Sequence, residues 1–312
     1  MPKSSRLVFR ASSDVKMAAY RFEFKAMGGG CEVLLCASDE EGVQAAVKAA
    51  VAEVHRIEQK YSRYRPDSIV SQINQAAGSG LWSECDPETQ WLFDYADTLY
   101  RSSDGLFDIT SGVLRRAWDF NAGIVPDISA LQPLMPLIGW QHVERDGTRV
   151  RLTLSGMEVD FGGFGKEYAA DSAATLLARL GFKHGYVNLG GDVRVIGPQP
   201  DGQAWLMAIQ DPRKRNGVIA TVPMQGGGLA TSGDYEKFFE KDGLRYCHIL
   251  NPFTGMPVSH WRSVSIMAPL AIAAGSYSTI AMLKEEDALA WLGQSGFSYL
   301  AQSHSGEIFH NR

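Results

Sequence analysis

The chain has 312 residues and a mass of 34.2 kDa, which corresponds to one large domain or two modest ones. Hydrophobic residues make up 45% and charged residues 21% of it. These fractions are typical of a soluble globular protein, and they exclude intrinsic disorder, a collagen-like fibre and a membrane bundle. A formal charge of −5 and a pI near 5.8 argue against nucleic-acid binding driven by net charge.

The N-terminal segment carries few structural signals. Its longest apolar run, Leu7-Val8-Phe9, is shorter than the apolar region of roughly 7–15 residues in a signal peptide. No later stretch reaches the length of a membrane-spanning helix. We therefore expect residues 1–19 to be disordered and residues 20–312 to form the folded domain. We expect a cytoplasmic protein, unless an export signal has been removed.

The first part of the chain predicts two strands followed by a long helix. Residues 20–24 alternate between apolar and polar side chains, and residues 32–37 form an apolar run. Apolar residues then recur at helical spacing up to Ile57, and Asp39 precedes them as a suitable N-cap.

A second helix and a hairpin are predicted next. Asp86 followed by proline is a strong helix start, because Asp suits the N-cap and Pro suits the first helical position. Residues 121–139 contain three prolines and show no clear period, so we expect an irregular segment there. Residues 149–154 and 157–161 are expected to pair as a hairpin.

The second half of the chain mixes helices with short strands. A helix is expected after Gly162-Gly163, and a final helix over residues 277–292 leads to a last strand at 299–302. Helices separated by several sequential strands are typical of an α+β protein with mixed or antiparallel sheets and packed helices. The short strands expected between the helices are residues 185–189, 193–196, 205–210, 218–222 and 263–268.

Four polar turns share one chemistry. In each, a strand-like segment runs into Gly together with Asp, Ser or Thr, and such turns present N–H groups and hydroxyls that suit phosphates. A single turn of this kind is more often structural, but four in one chain favour a phosphate-containing ligand. None is a Walker A loop or a GxGxxG fingerprint. The turns are VDFGGFGKEYAAD (159–171), VNLGGDVRV (187–195), LATSGDYEKF (229–238) and HILNPFTGMPV (248–258).

Three residues in these turns have both a functional and a structural interpretation. Lys166 lies just inside a helix start, where the helix dipole disfavours a cation, so it is a phosphate partner or a solvated surface lysine. His248 is a general base or a satisfied structural histidine. Asp160 ends an apolar strand at a glycine turn, where it binds a ligand or caps the helix.

These motifs, taken in order, resemble those of the FAD:protein FMN transferase (ApbE) family. The resemblance runs from about Phe22 to the C-terminus. VDFGGFGKEYAAD resembles the family's D-L-G-G-I-A-K-G-Y-A-x-D, and VNLGGD, ATSGDY and HILNPFTGMP follow in the family's order. Further matches are AMGGG (26–30) to AMGT, YSRYRPDSIVSQIN (61–74) to S-x-Y-x-x-x-S-x-x-x-x-x-N, DGLFDITSGVL (104–114) to G-A-F-D-x-T, and SVSIMAP before the last block.

The resemblance implies a transferase-like, T-fold-type architecture in a single large domain. Family members transfer FMN from FAD to a Thr or Ser hydroxyl of a target protein, use Mg²⁺ and release AMP. Some members instead hydrolyse FAD to FMN and AMP. The expected partners are therefore FAD and a flavin-acceptor protein, with no nucleic acid and no membrane span.

Carried over by position, the resemblance also implies a set of site residues. Lys166 is expected to neutralise the pyrophosphate, and His248 is expected to accept the proton of the attacking hydroxyl. Mg²⁺ is expected near the Gly163 carbonyl and the Thr279 hydroxyl, where it offsets phosphate charge. The expected FAD contacts are Met27, Tyr64, Leu106, Phe107, Asp108, Asp160, Lys166 and Leu250.

The chain departs from the family motifs at several positions. Gly275 stands where the last block carries a metal-binding Asp, although Mg²⁺ is usually anchored by one or two carboxylates. Glu167 replaces the Gly after the lysine, Asn251 replaces the Asp of H-I-x-D-P, and Gly29 replaces the Thr of AMGT. The sequence therefore leaves three functions open: an FMN transferase, an FAD pyrophosphatase, and a catalytically weak or silent FAD-binding carrier or regulator.

The lack of a carboxylate at position 275 suggests a substitution that would restore it. Positions 275 and 279 are four residues apart, so their side chains share one helix face. Gly275→Asp is therefore expected to add an oxygen ligand beside Thr279 and to raise the affinity for Mg²⁺.

Overall fold

The computed structural model describes residues 3–8 and 17–311 of the chain. Within these ranges the chain forms sixteen strands and seven α-helices. The strands are β1 (Lys3–Val8), β2 (Ala18–Ala26), β3 (Gly29–Ala37), β4 (Ser83–Glu84), β5 (Val143–Asp146), β6 (Arg149–Leu152), β7 (Gly185–Leu189), β8 (Asp192–Gly197), β9 (Trp205–Gln210), β10 (Val218–Met224), β11 (Gly227–Gly233), β12 (Phe238–Lys241), β13 (Leu244–Cys247), β14 (Trp261–Ala268), β15 (Ser298–Ser303) and β16 (Ile308–His310).

The first two long helices begin where the capping signals predict. Asp39 accepts N–H groups of the first turn of α1, and Asp86 does the same for α3. Over the described residues, no helix is long and apolar enough to cross a membrane. The α-helices are α1 (Glu40–Tyr61), α2 (Ile69–Gln75), α3 (Pro87–Ser102), α4 (Ile128–Leu131), α5 (Gly165–Arg179), α6 (Ala271–Lys284) and α7 (Ala288–Ser295), and 3₁₀ segments occupy Ile109–Arg116, Met135–Leu137, Trp140–His142 and Glu285–Asp287.

Nine strands form one sheet in the order β1-β2-β3-β7-β8-β11-β14-β15-β16. All neighbouring pairs in this sheet are antiparallel, so the prediction of an α+β fold with antiparallel sheets is confirmed. The turn from β7 to β8 uses Gly190 and Gly191 at φ +60° and +100°, values that favour glycine. Asn188 Oδ1 accepts the Gly191 N–H at 2.9 Å and holds this turn.

The large sheet separates two apolar layers. Val33 and Leu35 on β3 belong to the core beneath helices α1, α5 and α6, whereas Leu34 belongs to the core beneath the β9–β10 hairpin. This alternation follows from the two-residue period of a strand. On β9, Trp205 and Met207 are buried against the sheet, and Leu206 between them is exposed.

The N-terminal segment differs from the expectation of disorder over residues 1–19. Lys3–Val8 forms β1 and pairs with β2, and residues 18 and 19 already belong to β2. An edge strand with few apolar side chains gives a weak sequence signal, because its pairing is made by backbone groups. The remaining N-terminal residues, 1–2 and 9–16, lie outside the described ranges.

The hairpin predicted over residues 149–161 is wrong in its second strand. β6 pairs with β4 and β5 instead, and residues 157–161 form an irregular segment. The Asn74 side chain is the partner of this segment: its Oδ1 accepts the Val159 N–H at 2.7 Å, and its Nδ2 donates to the Val159 carbonyl at 3.0 Å. One side-chain amide thereby satisfies backbone groups that the prediction assigned to a strand.

The final helix also differs from the predicted range 277–292. α6 starts at Ala271, because the Asp171 carboxylate on α5 accepts the N–H groups of Ala271 at 2.9 Å and Ile272 at 2.8 Å. A cap supplied by a distant helix leaves no local sequence signal. Glu285 then adopts a positive φ of +47°, and α7 begins three residues later.

Candidate active site

One cleft brings together the four polar turns of the sequence. It lies between the 3₁₀ segment Ile109–Arg116, the start of α5, the end of β11 and the inner side of α6. Asp160 lines it from the first turn, Asp192 from the second, Ser232 from the third and His248 from the fourth. Turns that are far apart in the sequence therefore present their polar groups to one space.

The structure places most of the expected site residues in this cleft. Met27 and Tyr64 lie outside its lining. The expected residues that line it are Leu106, Phe107, Asp108, Asp160, Gly163, Lys166, His248, Leu250 and Thr279.

Met27 and Tyr64 occupy different surroundings from the rest of the set. Met27 has a positive φ of +53°, and its N–H donates to Glu58 Oε1 at 2.6 Å. The Tyr64 side chain is 77% exposed, with the Arg63 guanidinium 5.9 Å from its ring centre. Arg63 also pairs with Asp160 at 3.2 Å, so Tyr64 is connected to the cleft through that arginine.

Asp160 orders the turn that leads into α5. Its Oδ1 accepts the Gly162 N–H at 2.8 Å, and its Oδ2 accepts a hydrogen bond from Arg63 at 3.2 Å. The next residue, Gly163, packs against Phe107 so closely that a Cβ atom there would lie 2.7 Å from the Phe107 ring. Glycine is therefore required at 163 for the backbone to approach the cleft wall.

The carboxylate of Asp108 accepts hydrogen bonds from other groups of the protein. Its Oδ1 accepts the Thr110 N–H and hydroxyl at 2.8 and 2.7 Å, and its Oδ2 accepts the Trp140 N–H at 3.1 Å. Burial raises the pKa of this carboxyl. Both carboxylate oxygens of Asp108 are therefore engaged within the protein.

Lys166 and Asp192 form an ion pair in the cleft wall, with Nζ 2.7 Å from Oδ2. Asp192 Oδ1 also accepts the Thr231 N–H at 3.3 Å. Burial alone would lower the pKa of Lys166, but the Asp192 carboxylate outweighs this effect and holds the pKa above its ordinary value. Lys166 is therefore a fixed cation beside the cleft.

Glu167, one of the departures from the family motif, is buried between α5 and α6. A Cβ atom at position 275 would lie 2.5 Å from Glu167 Oε1, so the absence of a side chain at Gly275 makes room for this carboxylate. Burial and the Asp192 carboxylate raise the pKa of Glu167 well above its ordinary value. Its Oε2 is buried and has no hydrogen-bond partner in the described part of the chain.

Hydroxyl groups line the side of the cleft formed by β11 and α6. Ser232 Oγ lies 2.7 Å from Ser278 Oγ and 2.9 Å from Thr279 Oγ1. The Ser278 hydroxyl also donates to the Gly275 carbonyl at 2.9 Å. The Thr279 hydroxyl is thus held in place by its neighbours and faces the ligand space.

His248 follows β13 and is largely buried. Its backbone N–H donates to the Lys237 carbonyl at 3.0 Å. Burial, together with the nearby cations Arg115 and Lys237, lowers the pKa of its imidazole to about 4. The ring is therefore neutral at neutral pH, and a neutral imidazole has one nitrogen that accepts a proton.

The cleft contains oxygen donors suited to a hard cation. Among residues 3–8 and 17–311, no group of three or more His, Cys, Asp or Glu side chains is arranged to hold a metal ion. Mg²⁺, however, is commonly bound by one or two carboxylates together with substrate phosphates. The Glu167 carboxylate, the Thr279 hydroxyl and the Gly163 carbonyl, all in the cleft lining, fit that pattern.

Sequence reasoning missed two charged residues of this site. Asp192 follows Gly190-Gly191 in one of the polar turns, and an acidic residue directly after two glycines is the sequence signal that could have identified it. Glu167 was noted as a departure from the family motif, without a role. Asp192 pairs with Lys166, and Glu167 packs against Gly275. The members of each pair are far apart in the sequence, so only the fold reveals these contacts.

Comparison with known proteins gives matches over most of the chain. A model of the ApbE family matches residues 27–300. The chain is 30% identical over 266 residues to the FAD:protein FMN transferase of Escherichia coli (strain K12), a match that covers 81% of this chain and 75% of that protein. It is 29% identical over 299 residues to the FAD:protein FMN transferase of Klebsiella pneumoniae (strain 342), covering 91% and 84% respectively.

Solved structures show the same architecture. The crystal structure of the ApbE protein of Thermotoga maritima superposes with a TM-score of 0.87 at 30% identity, covering 94% of this chain and 97% of that one. The Pseudomonas stutzeri flavinyl transferase ApbE in its apo form superposes with a TM-score of 0.83 at 28% identity, covering 95% of each chain.

Proposed function

Because the chain belongs to the ApbE family, we propose that it is an FAD:protein FMN transferase. It takes FMN from FAD, attaches it through its phosphate to a Thr or Ser hydroxyl of an acceptor protein, and releases AMP. The observation that carries this proposal is the convergence of most of the family-matched positions on one cleft. That cleft holds a fixed lysine and a buried carboxylate, which suit a pyrophosphate and its counter-ion.

The proposed reaction exchanges one bond to phosphorus for another. The acceptor oxygen forms a bond to the phosphorus of the FMN part, while the bond from this phosphorus to the oxygen of AMP breaks. The proton of the acceptor hydroxyl passes to a base, and AMP leaves as an anion. His248 is the proposed base, because its imidazole is neutral at neutral pH and lines the cleft.

Lys166 is proposed to hold the pyrophosphate. Its ammonium is positioned by Asp192 at 2.7 Å, and charge-assisted contacts to phosphate oxygens are among the stronger hydrogen bonds. The ordered glycine turn before α5 contributes backbone groups at the same end of the cleft. These groups bind the charged part of FAD and orient it for attack.

The cation expected from the resemblance fits the residues of the cleft. Glu167, Thr279 and the Gly163 carbonyl are the groups proposed to hold Mg²⁺. When bound, Mg²⁺ supplies positive charge that stabilises the phosphate oxygens in the transition state. The protein's own contribution is to hold these ligand oxygens on α5, on α6 and on the turn that precedes α5.

The test is an assay of the purified chain with FAD and Mg²⁺, in which AMP is measured by chromatography. The acceptor is a protein domain with an unmodified threonine at a flavinylation site, and the control is that domain with this threonine replaced by valine. We expect AMP release to increase with the threonine domain, which becomes fluorescent in a denaturing gel. The valine domain should remain unlabelled.

The same assay separates the alternative functions. AMP release at the same rate with and without an acceptor, and no labelled protein, would identify an FAD pyrophosphatase. Binding of FAD without any AMP release would identify a silent flavin-binding protein. Either result would contradict the transferase proposal.

A further inference from the structure

Two departures from the family motifs meet in space. Glu167 lies in the first turn of α5 and directs its side chain towards α6, at Gly275. A Cβ atom at position 275 would lie 2.5 Å from Glu167 Oε1 and 2.7 Å from its Cδ. The Glu167 carboxylate therefore occupies the volume that a side chain of residue 275 would fill.

Glu167 differs from an ordinary acidic residue in a first helical turn. Such residues interact favourably with the helix dipole from the surface, whereas Glu167 is only 8% exposed and lines the cleft. Its Oε2 is buried without a hydrogen-bond partner among the residues that the structure describes. A buried carboxylate oxygen without a donor is destabilising, so the geometry favours a bound positive charge at this atom.

The charges around Glu167 lead to the same conclusion. The nearby Asp192 carboxylate is paired with Lys166 at 2.7 Å, and Glu167 has no ion pair of its own among the described residues. A divalent cation would compensate the charge of the ionised Glu167 carboxylate and of the substrate phosphates.

We propose that Glu167 is the carboxylate ligand of Mg²⁺ in this chain, supplied by α5 in place of the Asp that the family motif carries at position 275. The proposal rests on the proposed function, which requires the cation. The ligand class is a hard divalent cation bound by oxygen atoms. Thr279 and Gly163, in the same lining, supply a hydroxyl and a carbonyl.

This proposal predicts a different outcome for Gly275→Asp from the added ligand that the sequence alone suggests. The new side chain would meet Glu167 Oε1 within 2.5 Å of its Cβ, so it displaces the existing carboxylate. We expect the single variant to bind Mg²⁺ no more tightly than the unchanged protein and to melt at a lower temperature. A carboxylate at position 275 requires that the Glu167 side chain move or be removed.

The experiment measures metal affinity without turnover. Mn²⁺ is titrated into the full-length protein in buffer without nucleotide, and free Mn²⁺ is followed by electron paramagnetic resonance. Glu167→Gln removes the charge and keeps the shape. Glu167→Gly with Gly275→Asp moves the carboxylate to α6, and Glu167→Gly with Gly275→Asn is its matched control. Glu236→Gln removes one charge from an exposed position in the same cleft.

We expect Glu167→Gln and the Asn double variant to bind Mn²⁺ about tenfold more weakly or worse. The Asp double variant should regain most of the affinity, and Glu236→Gln should stay within about threefold because its charge is screened by solvent. Unchanged Mn²⁺ affinity in a folded Glu167→Gln protein would overturn the proposal. Equal affinities of the two double variants would also overturn it.

A second measurement distinguishes failure of this proposal from failure of the proposed function. FAD binding is followed by flavin fluorescence in the presence of EDTA, so that it does not depend on the metal. If every variant binds FAD and the Mn²⁺ affinity does not depend on Glu167, only the proposed role of Glu167 is refuted. Absence of FAD binding in the unchanged protein would refute the FMN transferase function itself, and the Glu167 proposal with it.

Discussion

The ion pair of Lys166 and Asp192 places a cation beside the expected pyrophosphate position. The pair measures 2.7 Å, and Asp192 is itself anchored by the Thr231 N–H at 3.3 Å. An anchored ammonium loses less side-chain entropy on binding a phosphate than a flexible surface lysine does. This single residue is therefore expected to distinguish phosphate-bearing flavins from riboflavin.

Lys166→Met should weaken FAD binding by roughly tenfold or more, because a charge-assisted contact is worth about 1.5–3 kcal/mol. Riboflavin, which lacks phosphate, should bind with unchanged affinity. Fluorescence titrations of both flavins measure this, with the exposed Lys48→Met on α1 as the control for loss of charge. Equal weakening for FAD and riboflavin would mean that Lys166 serves only to neutralise Asp192.

His248 predicts a pH dependence of stability. Its pKa is about 4 in the folded protein and about 6.5 in the unfolded chain. The buried neutral form therefore stabilises the fold above about pH 6.5, and this contribution is lost as the pH falls from about 6.5 to about 4. The loss amounts to about 3 kcal/mol.

His248→Asn should lose less stability than the unchanged protein over this pH window. Urea unfolding at a series of pH values between 7 and about 4 measures the difference. His310→Asn, at an exposed position of β16, should follow the pH profile of the unchanged protein. Identical profiles for the unchanged protein and His248→Asn would show that burial of the imidazole does not control the acid stability.

Helix α6, which carries Gly275 and Thr279, depends on side chains from other elements for its position. Asp171 on α5 accepts two N–H groups at its start and pairs with Arg194 at 3.0 Å. The Tyr95 hydroxyl on α3 donates to the Ile272 carbonyl in the first turn of α6 at 3.2 Å. The Asp171 contacts join α5 to α6, the helices that carry Glu167 and Thr279.

Asp171→Ala should lower the free energy of unfolding by about 3–5 kcal/mol, because it leaves two N–H groups and a guanidinium without their buried acceptor. Asp171→Asn should cost less, since the amide oxygen still accepts. Asp127, an exposed N-cap of α4, is the control, and Asp127→Ala should cost only about 1 kcal/mol. Denaturant unfolding measures all three variants, and equal losses for Asp171→Ala and Asp127→Ala would contradict this account of α6.

At the scale of the whole molecule, the large sheet isolates the cleft from the second apolar layer. The cleft opens among α5, α6 and the loops on the helical side, whereas Trp205 and Met207 pack on the opposite face under the β9–β10 hairpin. The Trp205 indole also donates to the Gly197 carbonyl at 2.9 Å. Stability and ligand binding should therefore be separable by substitutions on that face.

Trp205→Ala should lower the free energy of unfolding by about 3–5 kcal/mol, the usual cost of removing a large buried aromatic side chain. FAD affinity, measured below the melting temperature, should not change. Leu206→Ala on the same strand is the control, because Leu206 is 71% exposed, and it should cost less than about 0.5 kcal/mol. Loss of FAD affinity in Trp205→Ala would show that the two faces of the sheet are coupled.

Much of the fold and of the cleft could be inferred from local chemistry. The N-caps Asp39 and Asp86, the strand alternation and the glycine turns each act through neighbours a few residues away, so short sequence windows contain their signals. The ordered series of polar motifs indicated the family. It also named nine of the residues that line the cleft, but not Asp192 or the role of Glu167.

Contacts across the sequence required the tertiary structure. Asn74 substitutes for a strand partner of Val159, Asp171 caps a helix that begins 100 residues later, and Glu167 fills the space left by Gly275. In each case the partner is a backbone group or an empty volume brought close by packing, and such a partner has no pattern of its own in the sequence. The motif therefore indicated a missing carboxylate, whereas the packing of α5 against α6 placed a different carboxylate at the same position.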